Sequence, residues 1–239
     1  MSKDNLFKIG PFELNKIHNT EALESLKKIP DKSVDLIFFD PPYNAGKDYG
    51  VYKDNLPWKD YMEFMRKIIK ECLRISKRGI GIYLDWKHFK PYWHKLIPES
   101  EPIIIYKRSS GFIFSRRKIM QHHHVILTTA TALKPVKSLW DDIRVFGEGY
   151  LFNEPKFGHP AQTSLKATRR FIEHFSKENE IILDPFMGVG TTAVAAKSLN
   201  RQFIGFELNP EYIEIANRRL SQPQINDFNN KKTIKECLK

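Results

Sequence analysis

Cysteine is nearly absent: the 239 residues include only Cys72 and Cys237, with no Cys-x-x-Cys pair. So few thiols offer neither a disulfide framework nor a thiolate-held zinc. No apolar run approaches the roughly 20 residues needed to cross a bilayer, and no apolar leader opens the chain. These absences predict a cytoplasmic protein without a membrane partner. Acidic residues are also in deficit, 28 against 39 Lys and Arg, giving a net charge of +11. An excess of that size favours a polyanionic partner, nucleic acid first, and says nothing about fold. At 28.1 kDa the chain is long enough for one α/β domain with a full core and a modest insertion.

Internal repeats and low-complexity segments are missing too. What is present is an alternation of short apolar runs with helix-like periodicity, the pattern of a mostly parallel sheet covered on both faces. Strands are predicted at Phe12–His18, Val34–Phe39, Ile80–Leu84, Pro102–Tyr106, His124–Ala130, Ile181–Leu183 and Phe203–Phe206. Helices are predicted at Thr20–Ile29, Lys59–Ser76, around His88–Leu96, and at Ser164–Phe175, Thr191–Leu199 and Pro210–Leu220, the last capped by Asn209. Two long connections interrupt this rhythm, Asp40–Trp58 and Lys134–Gln162, and loops of such length in a compact domain are usually functional. Between residues 87 and 120 stand eight Lys or Arg against two Glu. With Trp93, Phe112 and Phe114 nearby, that stretch suits phosphate contact as well as it suits a solvated face. About residues 222–239 read as a basic, frayed tail.

Two segments carry the chemistry, each following a strand that ends in an acid: Asp40-Pro41-Pro42-Tyr43-Asn44 and Asp184-Pro185-Phe186-Met187-Gly188-Val189. In the first, a carboxylate, rigid carbonyls and an aromatic face can grip a flat ring bearing an amine. In the second, a glycine turn opening a helix can seat a nucleotide-like cofactor, with Glu207 at the next strand end placed for ribose hydroxyls. Gly188-x-Gly190-x-x-Ala193 followed by Glu207 also fits the fingerprint of an NAD-dependent oxidoreductase, which leaves residues 40–44 unexplained. No Gly-Lys-Ser/Thr follows these glycines, so a phosphate-cradling NTPase fits worse. His122, His123 and His124 are consecutive, so on a strand at most two could converge, and no metal site is expected.

Asp40-Pro-Pro-Tyr-Asn44 resembles the catalytic motif of β-class S-adenosylmethionine-dependent DNA amino-methyltransferases, the adenine-N6 and cytosine-N4 family. Asp184-Pro-Phe-Met-Gly-Val-Gly-Thr-Thr192 resembles their cofactor loop, Phe203–Pro210 their ribose-binding strand end, and His159-Pro-Ala-Gln162 the segment closing over the methionine moiety. The likeness runs from about Leu14 to Leu220, catalytic motif first. It implies a doubly wound, mostly parallel seven-stranded Rossmann-like sheet with one antiparallel strand and circularly permuted motif order, in a single catalytic domain over residues 1–239. A short target-recognition insertion is expected at about 107–158.

The resemblance also implies roles for individual residues. Asp40, Pro41, Pro42 and Tyr43 are the catalytic group, with Asp40 also beside the cofactor. Asp184, Pro185, Phe186, Gly188, Gly190, Thr191, Thr192, Glu207 and Leu208 hold S-adenosyl-L-methionine. Where relatives carry Gly-Asp after the first strand this chain has His18-Asn19, which assigns the adenine contact to the Asn19 amide. Where they carry Lys-Pro it has Thr163-Ser164, which leaves the cofactor carboxylate to hydroxyl or backbone donors. Apart from the resemblance, the clustering of positive charge alone puts Lys107, Arg108, Arg116, Arg117 and Lys118 on DNA phosphates as an expectation. Methylation at a ring carbon needs a thiolate nucleophile, and Cys72 reads as a core residue on an apolar helix face. The implied reaction is methyl transfer to adenine N6 in double-stranded DNA, with cytosine N4 as the alternative. An RNA or protein-glutamine substrate, a non-catalytic nucleic-acid-binding protein, a homodimer and a companion restriction endonuclease stay open.

Overall fold

The computed structural model describes residues 7–46, 54–85, 92–106, 123–143 and 163–222. Its strands are β1 (Lys8–Ile9), β2 (Phe12–Glu13), β3 (Lys16–Asn19), β4 (Leu36–Phe39), β5 (Ile80–Asp85), β6 (Glu101–Tyr106), β7 (His123–Thr128), β8 (Leu139–Trp140), β9 (Ile181–Asp184) and β10 (Gln202–Glu207). The helices are α1 (Ala22–Leu26), α2 (Trp58–Ile75), α3 (Tyr92–Leu96), α4 (Leu165–Phe175), α5 (Thr191–Ser198) and α6 (Pro210–Ser221). The main sheet has the order β3-β10-β9-β4-β5-β7-β6-β8. Its first seven strands are the expected seven, with β7 the one antiparallel member. The two-residue β8 adds an eighth on the outer edge, parallel to β6. The predicted strand Phe12–His18 is split instead, because Asn15 turns the chain at φ 58° and β2 pairs with β1 in a hairpin.

Strand β4 is central, and its four apolar side chains Leu36, Ile37, Phe38 and Phe39 are at most 1% exposed. A continuous apolar run of this kind is what a sheet covered on both faces requires. One face is covered by α1, α2 and α3 through Leu26, Met65, Ile68, Cys72, Trp93 and their neighbours. The other is covered by α4, α5 and α6 through Phe171, Phe175, Ala193, Ala196 and Ala216. Apolar residues recur three and four apart in both long helices: Tyr61, Met65, Ile68, Ile69, Cys72 and Ile75 in α2, and Ala167, Phe171, Ile172 and Phe175 in α4. Burying each of the larger side chains stabilises the fold by roughly 1.5–3 kcal/mol.

The connections determine where a ligand can sit. From β4 the chain passes through α2 to β5 on one side, whereas from β9 it passes through α5 to β10 on the other. Strands β4 and β9 are adjacent and parallel, so the winding reverses between them. At such a reversal the helices leave to opposite faces and open a crevice beyond the carboxyl ends of the strands.

Candidate active site

Asp40 follows the last residue of β4, Asp184 ends β9 and Glu207 ends β10. Because these three strands are parallel neighbours, the three carboxylates collect at one edge of the sheet. They line a cleft of about 1100 Å³, its open mouth included, together with Thr20, Glu21, Phe64, Phe186, Leu208 and Tyr212. Every charged residue on its described wall is acidic: Glu21, Asp40, Asp184 and Glu207. No Lys or Arg lines it among the described residues, although the chain carries +11.

The catalytic-motif turn is held from several sides. One Asp40 oxygen accepts the Tyr43 hydroxyl and the other accepts Thr163 Oγ1 at 2.8 Å. The Tyr43 oxygen also lies 3.2 Å from the Tyr83 carbonyl, and only 7% of Tyr43 is exposed. Its hydroxyl thus serves Asp40, while the residue forms part of the cleft wall. Tyr61, on α2, donates to the Pro42 carbonyl at 2.8 Å. Asn44 has φ 55°, and the amides of Asn44 and Ala45 donate to the two Asp54 carboxylate oxygens at 2.7 and 2.9 Å. Asp54 is 1% exposed and its own carbonyl accepts Gly46 N at 2.7 Å, so one buried acid closes the turn. Sequence reasoning missed Asp54, an acid outside any motif in a long connection, and gave Tyr61 no role in the site.

The cofactor loop runs from β9 into α5. Asp184 accepts Phe186 N at 2.9 Å on one oxygen and Thr192 Oγ1 at 2.6 Å on the other, which ties the strand end to the first helical turn. Burial raises the Asp184 carboxyl to about 7; the bonds from Thr192 and Phe186 oppose the rise, and the nearby charges of Asp40 and Glu207 add to it. Glu207 is likewise raised by burial, against the amides of Asn209 and Gly188, each 2.8 Å from its carboxylate. Gly190 precedes α5 at φ +84°, and a Cβ there would stand 2.7 Å from Ala216 Cβ on α6.

Of the predicted site residues, Asp40, Pro41, Pro42, Tyr43, Thr163, Asp184, Pro185, Phe186, Gly188, Thr191, Thr192, Glu207 and Leu208 line the cleft. Asn19, Ser164 and Gly190 do not. The Asn19 amide donates to the backbone carbonyls of Glu207 and Leu208 at 3.0 and 2.9 Å, so it ties β3 to β10. The wall at that point is formed by Thr20 and Glu21, and the Glu21 carboxylate, which accepts Glu24 N at 2.7 Å, was overlooked. Ser164 is 3% exposed and caps α4. Gly190 acts through the turn and its contact with α6. Lys107, Arg108, Arg116, Arg117 and Lys118 lie outside the described residues, as does His122. Cys72 is fully buried in α2 and its thiol is pushed up chiefly by desolvation.

A family model described as DNA methylase matches residues 34–129 and 94–218. The chain belongs to the DNA methylase family. Type II methyltransferase M.HpaI of Haemophilus parainfluenzae is 31% identical to it, over 92% of this chain and 77% of that protein. DNA adenine methyltransferase YhdJ of Escherichia coli (strain K12) is 29% identical, over 87% of this chain and 83% of that protein. Among solved structures, the PvuII DNA methyltransferase (cytosine-N4-specific) superposes with a TM-score of 0.67 at 17% identity, covering 92% of this chain and 89% of that one. A DNA modification methylase of Thermus thermophilus, complexed with S-adenosyl-L-methionine, gives 0.61 at 22% identity, covering 86% and 93%. Those two share the fold of this methylase. Among its described residues no helix is long and apolar enough to cross a membrane.

Proposed function

We propose that this methylase transfers a methyl group from S-adenosyl-L-methionine to adenine N6 in double-stranded DNA. The acidic wall of the cleft carries the reading. A ligand bearing a sulfonium and an ammonium is stabilised by Glu21, Asp40, Asp184 and Glu207. A dinucleotide would have to place its pyrophosphate among the same carboxylates with no described cation to meet it, which argues against the oxidoreductase reading. Phe64, Phe186 and Tyr212 provide apolar faces for a nucleobase. Glu207 stands for the ribose hydroxyls, Asp184 for the ammonium, and Glu21 for the adenine amine.

When bound, the cofactor supplies an electrophilic methyl on sulfur. An exocyclic amine is a poor nucleophile because its lone pair is delocalised into the ring. Asp40 accepts an N–H of that amine and draws the nitrogen toward a tetrahedral geometry. Pro41 and Pro42 fix the backbone, so a base turned out of the duplex meets a preset acceptor. Asp40 need not be a strong base, since the amine becomes acidic only once methylation has begun. Most of the acceleration then comes from alignment.

Adenine is favoured over cytosine by the Asp40-Pro-Pro-Tyr-Asn44 motif and by the likeness to the adenine methyltransferase YhdJ. The deciding experiment incubates the purified protein with DNA and S-adenosylmethionine, digests the DNA to nucleosides, and identifies the methylated one by mass. N6-methyldeoxyadenosine is expected. N4-methyldeoxycytidine would move the reading to the cytosine enzyme. Calorimetric binding of NAD in place of S-adenosylmethionine would overturn the methyltransferase reading.

A further inference from the structure

Thr163 lies 123 residues from Asp40 in sequence, yet its Oγ1 donates to Asp40 Oδ2 at 2.8 Å. A threonine hydroxyl has one hydrogen, and here it is directed at Asp40. It is thereby withheld from the cofactor carboxylate, the partner expected of a hydroxyl at this position. The backbone beneath Thr163 is anchored independently of any ligand. Ser164 is buried, its hydroxyl accepts Ala167 N at 3.2 Å, and its carbonyl accepts Thr168 N at 3.0 Å and Thr168 Oγ1 at 2.9 Å. Helix α4 is in turn fixed against the sheet by Phe171 stacked on Phe175 and packed on Phe38 of β4, the strand that Asp40 directly follows. A carboxyl group turns easily about its last torsion, where the energy wells are broad and two-fold. A donor held on α4 restrains that rotation.

We infer that Thr163 is a positioning residue, whose hydroxyl orients the Asp40 carboxylate toward the target amine and takes no part in binding the cofactor. The inference rests on the reading of Asp40 as the acceptor of that amine. It assigns the turn before α4 to the chemical step, leaves the cofactor's ammonium to Asp184, and leaves its carboxylate to donors other than the Thr163 hydroxyl.

Three variants test it. Thr163→Val keeps the shape and removes the hydroxyl, Thr163→Ser keeps the hydroxyl and removes a methyl, and Thr163→Ala repeats the deletion should valine lower the melting temperature. Each is measured for single-turnover methyl transfer to DNA and for S-adenosylmethionine affinity by calorimetry. For the valine variant the transfer rate should fall on the order of tenfold to a hundredfold, as expected for a misaligned reacting group. Its affinity for S-adenosylmethionine should stay within about twofold, because no cofactor contact is lost. The serine variant should retain most of the wild-type rate. Weakened S-adenosylmethionine binding at an unchanged transfer rate would overturn the inference and return Thr163 to the cofactor. Equal damage in the valine and serine variants would also overturn it, since packing of the methyl would then be what matters. Wild-type protein that binds S-adenosylmethionine but methylates no DNA would instead sink the reading of Asp40 on which the inference stands.

Discussion

Asp184 is 3% exposed, and in its proposed role beside the cofactor ammonium it would have to be charged. Its carboxyl, pushed up to about 7, is half protonated in the free protein near neutral pH. Below that pH the proton must leave before an ammonium can be held, so affinity for S-adenosylmethionine should fall as pH drops through about 7 and level off above it. Calorimetry across that range checks this, and Asp184→Asn should weaken binding and flatten the profile. Folding of the free protein has the opposite slope. An acid with a raised folded value contributes stability below its ordinary range, and the contribution is lost as pH rises through about 7. Denaturant titrations at several pH values without cofactor should show that decline.

The hydroxyl of Tyr43 changes what its variants should do. Were the ring alone important, phenylalanine would be nearly neutral; with the hydroxyl on Asp40, Tyr43→Phe should slow methyl transfer without weakening cofactor binding. Tyr43→Ala should lose a further roughly 1–3 kcal/mol of base stacking if the ring meets the flipped base during turnover. Asp40→Ala should abolish transfer and leave cofactor affinity little changed. Single-turnover rates for the three variants rank these roles, and a fully active Asp40→Ala protein would remove the catalytic assignment.

At the scale of elements, the turn after β4 depends on a residue outside its motif. Asp54→Ala leaves the amides of Asn44 and Ala45 without their acceptor, a loss of about 1–3 kcal/mol. The denaturant midpoint should drop accordingly and the transfer rate with it; an unchanged rate would mean that Tyr61 alone holds the turn. Gly81 makes the corresponding test on β5, where a Cβ would run into Phe171 Cζ and stand 3.0 Å from Phe38 Cδ2. Two packed rings leave no room to yield, so Gly81→Ala should destabilise by about 1–3 kcal/mol. Long amphipathic helices and continuous apolar strands were legible because their periods extend over many residues: α2 and α4 match expectation within a residue, and all seven long strands were foreseen. Two-residue pieces were not. Leu139–Trp140 has no period to read, and Asn15 at φ 58° interrupts a stretch that reads as one strand. In the cleft, motif residues with fixed spacing were found, whereas Glu21 on its wall and Asp54 behind the turn after β4 were missed because tertiary packing gives them their places. Asn19 and Ser164 were misplaced for the complementary reason, since their polar groups are used by the backbone nearby.

Across the whole molecule, charge is partitioned. The described wall of the cleft carries four acids and no Lys or Arg, while the chain as a whole has an excess of +11. That separation suits an enzyme with a cationic cofactor and a polyanionic substrate, because each would be repelled from the other's site. The densest basic stretch, residues 87–120, surrounds Arg116, Arg117 and Lys118, which lie outside the described residues and are assigned to DNA on charge alone. Phosphate contacts release counterions, so affinity for DNA should fall steeply with salt. Neutralising these three residues should flatten the slope of log affinity against log salt by about one unit per lost contact. Contacts to the backbone position a duplex without reading it, so the triple variant should weaken binding to every sequence alike. S-adenosylmethionine affinity should be unchanged, since no described cation lines its cleft. A salt slope equal to that of the wild type would show that this basic run is a solvated face, and the DNA path would then have to follow the other lysines and arginines of the chain.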